Sequence, residues 1–154
     1  MKLSQHFSLG ELTKTKYVTE DGNIPSHVEI ENLIRVCGWL EELRARYNRL
    51  YVWNVESGMW KEEPIVINSG YRSPEVNRLA GGATNSNHLT GCAVDIRCAG
   101  KEQMIRYASI LLDIADGTKQ EFDEMLLEQH GSVCWLHFAV RPKDNRRRIS
   151  FLKA

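Results

Sequence analysis

The chain predicts an α+β fold, a small, mostly antiparallel sheet with helices packed on it. Three observations lead there. Apolar residues recur at helical spacing after residue 26 and again after residue 101, and short β-rich runs alternate or pair around turn signals between and after them. At 154 residues the chain is expected to form one domain over 1–154, long enough to bury its own core.

Residues 1–25 read as an irregular lead-in, with one helical turn in Phe7-Ser8-Leu9-Gly10-Glu11-Leu12 capped by Ser8. Asn23-Ile24-Pro25-Ser26 then stops and restarts the chain. Ser26 and Glu29 have the spacing of a capping box, which satisfies two free backbone donors at a helix start. A long amphipathic helix over about 27–48 follows, with Val28, Leu33, Val36, Cys37, Leu40 and Leu43, and Ile30 and Ile34 alongside, as its core stripe. Pro64 to Asn68 is a buried strand ended by Ser69-Gly70. Ser73-Pro74 opens a helix that Gly81-Gly82 closes. From 92 to 97, Cys92, Val94 and Ile96 alternate with Ala93, Asp95 and Arg97, so this strand has one polar face. Helical periodicity resumes over 101–115. Residues 122–128 and 133–140, around Gly131, read as a β-hairpin, and 149–152 as an edge strand.

Composition excludes several classes. Lysine plus arginine equal aspartate plus glutamate at 20 each, so no whole-protein attraction draws the chain to nucleic acid or to an anionic membrane. No apolar run nears the roughly 18 residues of a spanning helix, so membrane insertion is not expected. Met1 to His6 lacks an apolar signal core, and the product is expected to be cytoplasmic as synthesised. Cys37, Cys92, Cys98 and Cys134 form no CxxC pair; reduced, buried thiols are expected.

One stretch carries chemistry: Ser86-Asn87-His88-Leu89-Thr90-Gly91-Cys92-Ala93-Val94-Asp95, with Trp135-Leu136-His137 some forty residues on. His88, Asp95 and His137 are a nitrogen and oxygen donor set of the size a catalytic zinc site needs, with a fourth position left for water. Fully extended, His88 and Asp95 would stand about 23 Å apart at roughly 3.3 Å per residue. The chain must turn back between them, and Thr90-Gly91 is where it can. On the strand, Ala93 leaves room beside Asp95. Without metal, a purely structural domain would require these three side chains to diverge.

Ser86-x-His88-x-x-Gly91-x-Ala93-x-Asp95 and Trp135-x-His137 resemble the signature of the zinc D-alanyl-D-alanine carboxypeptidases, whose fold is shared with the hedgehog signalling domain. The resemblance extends to Phe7-Ser8-Leu9-x-Glu11-Leu12, Asn23-x-Pro25 and Ser69-Gly70-Tyr71-Arg72-Ser73-Pro74. It is closest to the short, single-domain bacterial and phage members. It implies one Zn2+ per chain held by His88, Asp95 and His137, and hydrolysis of peptidoglycan stem peptides next to D-alanine. Zinc in such a site polarises the scissile carbonyl and lowers the pKa of water. The resemblance also implies action at the cell wall after release, or in a virion.

Many relatives carry the proton-transferring acid three residues before the last histidine, where this chain has Cys134. Cys134 as a thiolate ligand or nucleophile has nothing nearby in sequence to activate it. Glu128 is the substitute: with Gly131 near the middle of the turn it faces residue 134 or 135 across the hairpin, where opposed Cβ atoms are about 5 Å apart. Asp123 and Glu124 lie further from the turn. Arg72 is expected to bind a substrate carboxylate through two parallel hydrogen bonds. Ser86 is expected to bind substrate or orient His88. Tyr71 and Trp135 fit either pocket walls or core. His6, His27 and His130 read as surface residues, and Arg141 to Arg148 as a solvated, charged turn. Two alternatives remain at this point: an endopeptidase cutting the L-alanine to D-glutamate bond as phage lysins do, and a non-catalytic, zinc-stabilised binding module. Glu128 facing the site favours catalysis, and Glu128 facing solvent favours binding.

Overall fold

Ser8 and Glu11 close a reciprocal capping box around a single helical turn, α1 (Leu9–Leu12), and Ser26 and Glu29 do the same at the start of α2 (His27–Tyr47). The computed structural model describes residues 1–53 and 61–153. The helix α2 runs on into a π-helical turn over Asn48–Val52. The Asn48 side chain there clamps the chain at Glu63, accepting from its N–H at 2.7 Å and donating to its carbonyl at 3.0 Å. Then come β1 (Ile67–Ser69), α3 (Pro74–Leu79), a 3-10 turn (Asn87–Thr90), β2 (Ala93–Cys98), α4 (Lys101–Thr118), β3 (Glu124–His130), β4 (Val133–Ala139) and β5 (Arg148–Lys153). No helix among the described residues is long and apolar enough to cross a membrane.

The architecture is α+β. The five strands form one sheet in the order β1-β2-β4-β3-β5, antiparallel except for the parallel β3–β5 pair. Strand alternation gives the sheet two faces of opposite character. Val94, Ile96, Leu136, Phe138, Met125 and Leu127 point to one, where α2 and α4 cover them. Trp39 of α2 packs on Phe138 at 5.3 Å between ring centroids and meets Phe122 edge-on at 6.5 Å. Asp95, His137, Glu124 and Glu128 fall on the other face, by the register Asp95↔His137↔Leu126 and Arg97↔Trp135↔Glu128.

Several expectations change here. Val28 and Ile34 are exposed on α2, whereas Trp39 and Tyr47 are buried. The predicted residues Leu33, Val36, Cys37, Leu40 and Leu43 are all buried, and Trp39 and Tyr47 widen that stripe. The strand expected over Pro64–Asn68 is a three-residue edge strand, Ile67–Ser69; Ile67 in it is buried, and before it Ile65 is buried and Val66 exposed. The N-terminal lead-in contributes to the core: Leu3, Phe7 and Leu12 are all buried. Tyr71 is a core residue rather than a pocket wall. His6 is not a free surface residue, since its Nδ1 lies 2.6 Å from Glu41.

Candidate metal centre and active-site cleft

Asp95 stands mid-way along β2 with His137 as its partner on β4. His88 reaches the same place from outside the sheet, on the 3-10 turn. Ser86 caps that turn, its Oγ accepting from the His88 N–H at 3.1 Å. Gly91 ends the turn with φ +74°, and a Cβ there would lie 2.5 Å from the Glu29 carbonyl oxygen. Only glycine lets the chain turn back this close to α2. The loop 69–72 grips His88 from the other side: Gly70 offers its carbonyl to His88 Nδ1 at 2.7 Å, and the Arg72 N–H donates to the His88 carbonyl at 3.0 Å. A Cβ on Gly70 would collide with the carbonyl of Leu12, so the loop is seated directly on α1.

The three side chains converge. His88 Nε2 lies 3.3 Å from Asp95 Oδ2 and His137 Nδ1 lies 3.0 Å from Asp95 Oδ1. One ligand atom from each lies within 4.8 Å of the other two. The ring nitrogens decide whether this set fits a metal. His88 commits Nδ1–H to the Gly70 carbonyl, which leaves Nε2 as the lone-pair donor. His137 turns Nε2 toward Glu124 Oε1 at 3.1 Å, which leaves Nδ1 facing Asp95. An acceptor on the far nitrogen is how a protein orients a metal-binding imidazole. Two ligand atoms each about 2.1 Å from a tetrahedral ion lie about 3.4 Å apart, so the observed spacings fit zinc.

Burial alone would raise the Asp95 carboxyl, but His88 and His137 outweigh it and hold the group well below the usual carboxylate range. Burial lowers His137, but hydrogen bonds and charge from Asp95 and Glu124 prevail and push it up to about 9. Glu124 is lowered, first by its bond with His137. Behind Glu124 sits Asp123, fully buried, accepting from Arg146 Nη2 at 2.8 Å and from Asn87 Nδ2 at 2.8 Å. The same Asn87 amide donates to Glu124 Oε1 at 2.6 Å. Arg146 and Arg148 therefore flank the site, where a solvated turn was expected. The residue that sequence reasoning passed over is Glu124. Its signal was available: once the turn is set at Gly131, Leu126 pairs with His137, and 124 and 128 flank it on the same face.

These groups line a cleft of about 490 Å³. Glu128 lies in it, with its Oε2 accepting from Trp135 Nε1 at 3.1 Å. Burial, and then the charge of Asp95, raises its carboxyl. Trp135 is a cleft wall. Arg72 lies there too, donating from Nε to Ser69 Oγ at 3.1 Å and from Nη2 to Asp95 Oδ2 at 3.3 Å. Cys134 points to the opposite, buried face beside Cys98, whose thiol is pushed up to about 12 by burial and by Cys134. It is remote from the metal ligands' face. His27 and His130 are exposed and outside the cleft.

A family model for Peptidase M15 matches residues 5–120. The chain belongs to the Peptidase M15 family. It is a zinc metallopeptidase, and its substrates are of the peptidoglycan type. The matched residues take in Arg72, Ser86, His88 and Asp95 but end before the β3–β4 hairpin that carries Glu128 and His137. No curated protein matches the chain.

Proposed function

We propose that His88 Nε2, Asp95 and His137 Nδ1 hold a single zinc ion and that the chain hydrolyses a peptide bond next to alanine in peptidoglycan stem peptides. The observation that carries this reading is the pair of imidazoles whose far nitrogens are occupied by Gly70 and Glu124 while the near ones face a shared carboxylate. Zinc, when bound, supplies Lewis-acid polarisation of the scissile carbonyl and a more acidic water. Glu128 takes the proton of that water and passes it to the leaving amine. Its bond to Trp135 fixes one oxygen while leaving the other for proton transfer. This position in the cleft favours catalysis over a binding module.

Arg72 binds a substrate carboxylate beside the metal, and Ser86 acts by holding the His88 backbone. Two forms of the reaction share these residues. As a D-alanyl-D-alanine carboxypeptidase, the protein would hold the terminal carboxylate on Arg72 with no substrate beyond it. As an endopeptidase of the kind phage lysins use on the L-alanine to D-glutamate bond, it would let the peptide run past Arg72. One observation favours the second form: Arg72 and Ala80 also line a neighbouring cleft, which offers a place for peptide beyond Arg72. Either form acts at the cell wall. The test is digestion of a synthetic stem pentapeptide by zinc-loaded protein, with products read by mass spectrometry. An internal cut supports the endopeptidase form and release of the terminal residue supports the carboxypeptidase form. An intact peptide, with intact purified peptidoglycan, overturns both.

A further inference from the structure

The cleft beyond Arg72 has a volume of about 520 Å³ and shares Arg72 and Ala80 with the metal cleft. That size is within the range of sites that hold small molecules. Its walls carry three cationic side chains, Lys14, Lys16 and Arg72, and no aspartate or glutamate. In a chain with equal numbers of acidic and basic residues this is a local imbalance. Among the described residues Arg72 is paired with Asp95, whereas no carboxylate lies in ion-pair range of Lys14 or Lys16. Lys16 Nζ instead lies 5.3 Å from the centroid of the Tyr17 ring, on the same wall.

The backbone just before the two lysines is tied to the loop that carries Arg72. The Leu12 carbonyl accepts from the Tyr71 N–H at 2.8 Å, and Asn23 Nδ2 bridges the carbonyls of Thr13 (2.8 Å) and Tyr71 (3.2 Å). The segment after α1 is thus held as a wall at a fixed position from the metal ligands. The metal cleft instead mixes charges, with Arg146 and Arg148 beside Asp95, Glu124 and Glu128. The second cleft therefore offers an anionic group cations without a competing carboxylate on its walls.

We propose that substrate runs from the metal cleft past Arg72 into this second cleft, and that the segment entering it is acidic: a peptide residue with a free carboxylate, held by Lys14 and Lys16. The inference rests on the endopeptidase form proposed above and names the residues that give it specificity. The probes are two peptides identical except that the residue following the scissile bond carries a carboxylate in one and a carboxamide in the other. Their binding to the zinc-loaded Glu128→Gln protein is measured by calorimetry, alone and with Lys14→Gln and Lys16→Gln added. Their hydrolysis by zinc-loaded protein with and without the two lysine substitutions supplies kcat and KM.

The carboxylate peptide is expected to bind about tenfold or more tightly than the carboxamide, with the preference falling to about onefold when both lysines are neutralised. In turnover the same loss is expected in KM, with kcat changed less than about twofold. Equal binding of both peptides, or a preference that survives loss of both lysines, overturns the subsite. If the carboxylate peptide binds in a lysine-dependent way but neither peptide is cut, the subsite stands and the proposed function falls. If both are cut with equal KM, the function stands and the subsite falls.

Discussion

Glu124 and Glu128 flank Leu126 on one strand face, and Leu126 is the residue opposite His137. Their surroundings give them different tasks. Glu124 is lowered by its bond to His137, so it stays ionised and orients the ring. Glu128 is raised and accepts from Trp135, and the proposed function gives it the proton transfer. Glu128→Gln should keep its zinc while kcat falls by about two to four orders of magnitude. Metal analysis beside a peptide assay checks this, and residual turnover near the wild-type rate would remove Glu128 from the mechanism. Glu124→Ala should weaken zinc binding by about 10- to 100-fold, read by competition with a chelator. An unchanged affinity would show that His137 needs no partner on Nε2.

The elements that hold these side chains are short and locally coded. Gly91 is the turn between His88 and Asp95, and its positive φ and closeness to Glu29 leave no room for a side chain. Gly91→Ala should cost about 1–2 kcal/mol from the backbone angle alone, lowering the melting temperature by several degrees, and should weaken zinc binding by moving His88. A variant as stable as wild type would contradict the turn geometry. Legibility in the sequence followed the same division. Capping boxes, the Thr90-Gly91 turn and the two-residue alternation of β2 and β4 depend on neighbours in sequence, so the helix starts and the three metal-binding candidates were readable. The covered face of α2 follows the predicted stripe of Leu33, Val36, Cys37, Leu40 and Leu43. Its edges depend on what packs against it, so Val28 and Ile34 are exposed and Trp39 is buried. The role of Glu124 depends on hairpin register, and that of Arg146 on a buried acid twenty-three residues away. The first follows only once the hairpin register is set, and the second leaves no local trace.

At the scale of the molecule, Asp123 ties the segment after β4 to the site. It is fully buried, accepts from Arg146 and Asn87, and forms an ion pair with Arg141, whose Nε lies 3.2 Å from Asp123 Oδ2. Burial raises its carboxyl, but Arg146 and Asn87 outweigh that and hold it at about 2. A group depressed on folding stabilises the protein above its unfolded value, near 3.9, and loses that contribution as pH falls through the folded value. The contribution, about 2–3 kcal/mol, should therefore be complete above about pH 5 and vanish toward pH 2. In urea titrations Asp123→Asn should be less stable than wild type at pH 7 by about 1–3 kcal/mol, and the gap should narrow between pH 4 and 2. A gap independent of pH would mean that shape rather than charge explains the loss.

The proposed centre holds its metal through a residue from the turn and one from each of two strands. Zinc content should be measured in protein purified without added metal or a metal-binding tag, alongside His88→Ala. About one zinc per wild-type chain, lost in the variant, is the expected result. A wild-type protein that holds no zinc, and takes up none when zinc is supplied, would contradict the proposed centre.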